Sequence, residues 1–215
     1  MTDSASVLSA TGWKQLDDRL RKSDEDRWLS SRYAPAAPRR AMIALYLLNF
    51  ELARVRLVVS EAGLGAIRFQ WWRDAIDAMP QGGTYQHDVA LALQEVVRAG
   101  RISTQALLKL VDGHEVAFEC SDRRLEPEAW LAATAAKVLA PAHGWGPHII
   151  DLAPHVAALR RGEKVGYGPV APKVPADIRP AIAHFRLRRL RAAGRGDAKF
   201  RRRLCVLAAI LTGAV

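Results

Sequence analysis

The chain has only two cysteines, Cys120 and Cys205, in 215 residues. That excludes a disulfide framework and a thiolate metal site, and fits buried or idle thiols in a reducing compartment. Period-two alternation of apolar and polar residues is scarce, so there is little from which to build a sheet. No low-complexity tract occurs, and with half of the residues apolar the composition is not that of a disordered chain. The first ten residues carry an early acid and no apolar core of signal-peptide length. Acids are few: 22 Asp and Glu stand against 32 Lys and Arg, a net charge of +10.

What is present is helical periodicity. Residues 41–60 are apolar except at Asn49, Glu51, Arg54, Arg56 and Ser60. A helix that is apolar nearly all round belongs inside a bundle or a bilayer. Charges near its centre would each be penalised by about 2.5–3.5 kcal/mol in a bilayer, so a buried central helix of a soluble bundle is expected. The helix should end near Ser60, with Gly63 and Gly65 making a turn. A second helix over about 65–79 sets Ile67, Trp71, Ala75 and Met79 on its inner face, with Trp72 either core or exposed. Upstream, 11–32 is amphipathic through Trp13, Leu16, Leu20, Trp28 and Leu29. Downstream, a helix over 88–99 buries Val89, Leu93 and Val96. Ser103 caps one running to about Arg124, and Pro127 starts another. Pro154 is expected to bend or break a helix over 149–161. Residues 162–175 read as an extended connection, and a basic helical segment fills 176–215. The expectation is one all-α domain over 1–215, with 1–10 flexible and a basic tail that could be trimmed.

The segments ALYLLNFELARVRLVVSE (44–61) and IRFQWWRDAID (67–77), preceded by DEDRWLSSRYAPAAPRRA (24–41), resemble the squalene/phytoene synthase family. Residues 87–119 are similar to the family's following helices, and past Leu125 the likeness thins. The resemblance implies a helical bundle of the isoprenoid (terpenoid) synthase type, truncated in its late helices. In active members, paired aspartates on the central helix hold magnesium against a diphosphate leaving group. Here those positions fall at Ala53, Arg54 and Leu57. The late segment VAALRRGEKVGYGPVAP (156–172) has no aspartate pair before it, Asp151 standing alone. A short branch of the family, related to the mitochondrial complex I assembly factor, shares the ELARVR and QWWRDA helices and lacks the aspartates.

By that resemblance the chain is expected to be a degenerate, non-catalytic assembly or scaffold factor that binds a protein partner or a lipid near a membrane. It would sit in the cytoplasm, peripherally at a membrane's inner face. The alternatives are a magnesium-dependent farnesyl or geranylgeranyl diphosphate transferase, or an isoprenoid-lipid binder without chemistry. No cofactor is implied, magnesium entering only with the transferase.

The candidate cleft residues are Tyr46, Asn49, Glu51, Arg54, Arg56, Gln70, Arg73 and Asp74. Glu51 with Arg54, and Arg73 with Asp77, could instead pair along their own helices. An Asp74–Asp77 metal site and a zinc site among His143, His148 and His155 are the lesser readings. His114-Glu115 lacks the second histidine of a zincin, and Gly63-x-Gly65 follows no strand. The nine Lys and Arg between 186 and 203 face one acid, Asp197. Arg186, Arg188, Arg189, Arg191, Arg201, Arg202 and Arg203 suit an anionic membrane or a solvated face. Nucleic acid is disfavoured by the scarcity of stacking aromatics, and the Arg195–Asp197 RGD is a chance triplet.

Overall fold

A computed structural model describes residues 8–59, 61–83, 86–195 and 198–215. The expected helix end at Ser60, the acid Asp197 with its RGD triplet, and most of the N-terminal 1–10 stretch lie outside the described residues. Among those described, every regular element is helical. In chain order they are α1 (Ala10–Ser23), α2 (Glu25–Ser31), α3 (Ala36–Val58), α4 (Ala62–Ala78), α5 (Asp88–Arg98) and α6 (Thr104–Glu119). There follow α7 (Glu128–Leu139), α8 (Gly146–Arg160), α9 (Arg179–Ile182), α10 (Leu187–Ala192) and α11 (Lys199–Thr212). They form two compact units, 1–24 with 40–127 and 25–39 with 128–215.

The first unit holds α1, most of α3, α4, α5 and α6. Nine consecutive residues of α3, 41–49, are buried, as an apolar helix without a polar face requires. Ser9 and Ser103 cap α1 and α6 by accepting the N–H of Gly12 and Ala106 at 3.1 and 3.2 Å. Helix α6 stops at Glu119, short of the expected Arg124, where Ser121 takes a positive φ of 51°. Gly63 and Gly65 lie inside α4 and make no turn. Gly65 is where α4 meets α6: a Cβ there would come within 2.3 Å of the Phe118 ring. The glycine is used for close approach, which the sequence pattern alone could not separate from a turn.

The second unit holds α2, the start of α3, and α7–α11. Helix α8 continues through Pro154, whose ring lies on the exposed side, so the missing N–H is lost from the solvent face. The expected basic helical segment over 176–215 begins as a chain of short pieces, 3₁₀ turns at Ala176–Ile178 and Ala183–Arg186 alternating with α9 and α10, before α11. Residues 163–175 form no regular element, as the proline and glycine content predicts, and Gly168 takes a positive φ of 82°. They are tied down by Val174 N–H to Gly213 O at 2.7 Å.

The basic tail cannot be trimmed freely, because its arginines hold this unit together. Arg191 and Arg202 both bond the buried Asp26, Arg202 also reaches Glu25 at 2.9 Å, and Arg27 pairs with Glu128. Arg188 has no solvent exposure. Arg186 donates to Ala214 O at 2.8 Å and Arg189 to Val215 O at 3.0 Å. Only Arg189, Arg201 and Arg203 of the seven expected surface arginines are exposed.

His143 accepts the N–H of Trp145 on Nδ1 at 3.0 Å, at the entry to α8. Burial lowers its pKa, with Asp177 opposing and Lys137 adding to the shift. A depressed imidazole value means the unfolded chain takes the proton first, so acidification through the ordinary histidine range removes stability. Melting should therefore fall between about pH 7.5 and about pH 5.5, and less steeply in His143→Asn, whose amide oxygen replaces Nδ1 as acceptor without titrating. Equal slopes in the two proteins would exclude His143 as the cause.

Candidate functional site

A cleft of ≈ 400 Å³ in the first unit is lined by Glu51 and Val55 of α3, Ile67, Arg68, Trp71 and Trp72 of α4, and His87. Helix α4 supplies most of it. Phe69, Trp72, Ala75 and Ile76 point inward, which turns Ile67 and Trp71 to the open side. Ile67 is 65% exposed and Leu57, on the last turn of α3, is 74% exposed. Val58 and Leu64 are exposed as well. The expected burial of Ile67 and Trp71 is thus corrected, and of the tryptophan pair it is Trp72 that enters the core. The rings of Trp71 and Trp72 meet edge-to-face at 4.9 Å, with His87 at 5.6 and 5.2 Å from them.

Of the eight expected cleft residues, only Glu51 lines this one. Its carboxylate is bonded by Arg19 and approached by Arg54 at 3.8 Å. Arg19 also reaches Asp88 at 3.1 Å, bridging the two acids. Arg54 is exposed. Tyr46 and Asn49 lie in the core of α3, where Asn49 Oδ1 meets His114 Nε2 at 2.9 Å in a buried pair. Arg56 turns to Glu126; burial lowers its pKa and Glu126 opposes the shift. Arg73 does not pair with Asp77. It reaches across to Glu115 and to Asp112 at 2.8 Å on α6, and its hydrogen bond to Glu115, chiefly, raises its pKa. Gln70 donates to Asp74 at 2.7 Å on the exposed side of α4. These partners lie 39 and more residues away in sequence for Arg73, which is why helical spacing favoured the wrong pairing.

The donor set does not suit magnesium, which needs several carboxylate oxygens in octahedral array. Ala53 offers no side-chain oxygen, Arg54 is a cation beside Glu51, and Leu57 is an exposed hydrocarbon. Among the described residues no group of three or more His, Cys, Asp and Glu is placed to hold a metal ion. Cys120 is exposed and Cys205 half-buried, with burial raising the Cys205 thiol pKa. No described helix is long and apolar enough to cross a membrane.

Comparison with known proteins places this region. The squalene/phytoene synthase family model matches residues 20–132, just over half of the chain. NADH dehydrogenase (ubiquinone) complex I, assembly factor 6, is 33% identical over 96 residues in Bos taurus and 35% over 96 residues in Rattus norvegicus. The human protein of that name is 33% identical over 96 residues. Each match covers 45% of this chain and 29% of the relative, so the chain spans well under a third of the length of these curated relatives. No solved structure matches. The matched span runs from the end of α1 into α7 and carries the cleft of α3 and α4, and on that span the chain belongs to the squalene/phytoene synthase family.

Proposed function

We propose that the chain is a non-catalytic member of the family that acts as an assembly factor, and that the α3–α4 face receives a protein partner. The single observation that carries this reading is Leu57. Where active members would need a metal-binding carboxylate stands an exposed leucine, and Val58, Leu64, Ile67 and Trp71 of the same two helices are exposed as well. Exposed apolar side chains in this number suit association, with Trp71 and Ile67 as anchors and Arg54 and Arg68 as exposed cations on the same helices. The relatives' name supplies the context: the partner class is a protein in the assembly of NADH dehydrogenase (ubiquinone) complex I.

The test has two arms. Ile67→Glu, at an exposed position, should leave melting unchanged and weaken capture of complex I subunits from the native membrane fraction by about tenfold or more. Undiminished capture would move the docking face elsewhere. Incubation with farnesyl or geranylgeranyl diphosphate and magnesium should release no diphosphate. Release that stops on chelation would return the chain to the prenyl transferases. Quenching of Trp71 and Trp72 by an isoprenoid without turnover would favour a lipid binder in this cleft.

A further inference from the structure

Helix α11 has two opposed faces. One packs inward through Val206 and Ala209, with Arg202 turned to Asp26 and Glu25. On the other, Phe200, Leu204, Leu207 and Leu211 recur at steps of four, three and four residues. At about 100° per residue these four fall within about 60° of one another, on the side opposite the buried one. All four are exposed, Phe200 at 72% and Leu211 at 69%. The cations Lys199, Arg201 and Arg203 are exposed too, and the helix contains no acid. Arg201 and Arg203 fall on either flank of the apolar stripe, so the hydrocarbon runs between positive charges.

An exposed stripe of one phenylalanine and three leucines is not needed for the helix's own packing, which the inner face supplies. Nor does it serve nucleic acid, where phosphates call for cations and bases for a stacking platform; α11 has a single aromatic. The pairing of hydrocarbon with flanking arginines is complementary to one kind of surface, a bilayer with anionic headgroups. At 14 residues the helix is about 21 Å long, too short to span and suited to lying in the plane.

We propose that α11 is an interfacial helix that docks the protein on anionic phospholipid bilayers. Phe200, Leu204, Leu207 and Leu211 enter the acyl boundary while Lys199, Arg201 and Arg203 meet the headgroups. The contact uses a different set of cations from the tail as a whole, because Arg188, Arg191 and Arg202 are committed to the protein's interior. It does not depend on the reading of the α3–α4 face.

Flotation of the full chain with vesicles of phosphatidylcholine containing about 30 mol % phosphatidylglycerol tests it. The wild type should float with these vesicles, much less with phosphatidylcholine alone, and less as salt rises. Leu204→Gln with Leu211→Gln, both at exposed positions, should keep the melting temperature and weaken partitioning by about tenfold or more. Arg201→Gln with Arg203→Gln should weaken it by about fivefold per charge removed, on the anionic vesicles only. The proposal is overturned if the wild type does not float, if the leucine variant floats equally well, or if neutral vesicles bind as strongly. It is also overturned if the leucine variant dissolves a dimer formed without vesicles, or if duplex DNA displaces the vesicles at comparable concentration.

Discussion

Arg188→Ala should lower the stability of the chain by about 4 kcal/mol and its melting temperature by about 10 °C. The guanidinium is fully buried on α10 and acts as a clamp. It bonds Tyr167 O, spans Pro169 O at 3.2 Å with both terminal nitrogens, and reaches Val215 O at 3.1 Å. Its carbon lies 5.8 Å from the Tyr167 ring. Burial lowers its pKa, yet arginine stays charged in proteins, so its hydrogen bonds are the charge-assisted kind worth about 1.5–3 kcal/mol each. Truncation takes this donor from the Tyr167 and Pro169 carbonyls, leaves Val215 O with Arg189 alone among the bonds described, and opens a void. Lysine should recover only part of the loss, since one ammonium cannot fork to three oxygens. A second readout follows from the geometry. The clamp holds the irregular stretch that contains the exposed Lys164 and Lys173, so trypsin should cut there faster in the variant. Wild-type melting and wild-type cleavage together would show that the clamp is absent in solution.

Asp26→Ala should be nearly as severe, about 3–5 kcal/mol. Asp26 is buried at the start of α2 and is the shared partner of Arg191 and Arg202, which are themselves largely covered. Removing the carboxylate takes away the shared partner of two guanidinium groups, and uncompensated buried charge is the costly outcome. Asp26→Asn keeps the shape and should lose most of the same stability, which separates charge from packing. Combining Asp26→Asn with Arg191→Gln should be less destabilising than the sum of the two single changes. Strict additivity would mean that the pair makes no interaction. Both predictions concern α10 and α11, the part of the chain that composition alone marks as expendable.

Much of the helical layout was legible because it is local. Ser103 caps its helix, Pro127 precedes the next, and the apolar run of α3 is buried without a break over 41–49. The errors also have local causes. Steps of four residues drift by about 40° each on a helix, so Ile67 and Met79 are roughly 120° apart and cannot share a face. Met79 is buried and Ile67 is exposed. A glycine inside a helix and a glycine in a turn look alike in sequence, and only the Phe118 ring against Gly65 distinguishes them. The polarity of Asn49 on an apolar helix points to a cleft, but His114, 65 residues on, satisfies it inside the core.

Some conclusions needed no coordinates. Periodicity of about 3.6 makes the chain all-α, and covalent structure alone denies a metal-binding oxygen to Ala53, Arg54 and Leu57. The fate of the charges was different, because burial and pairing join residues far apart along the chain. Asp26 and Arg202 are separated by 176 positions, and no local pattern says that they meet. Tertiary packing decided which arginines of the basic run are drawn inside and which apolar side chains are left facing out. An unpaired charge cannot be buried cheaply, whereas a hydrocarbon can be left exposed wherever another surface will cover it.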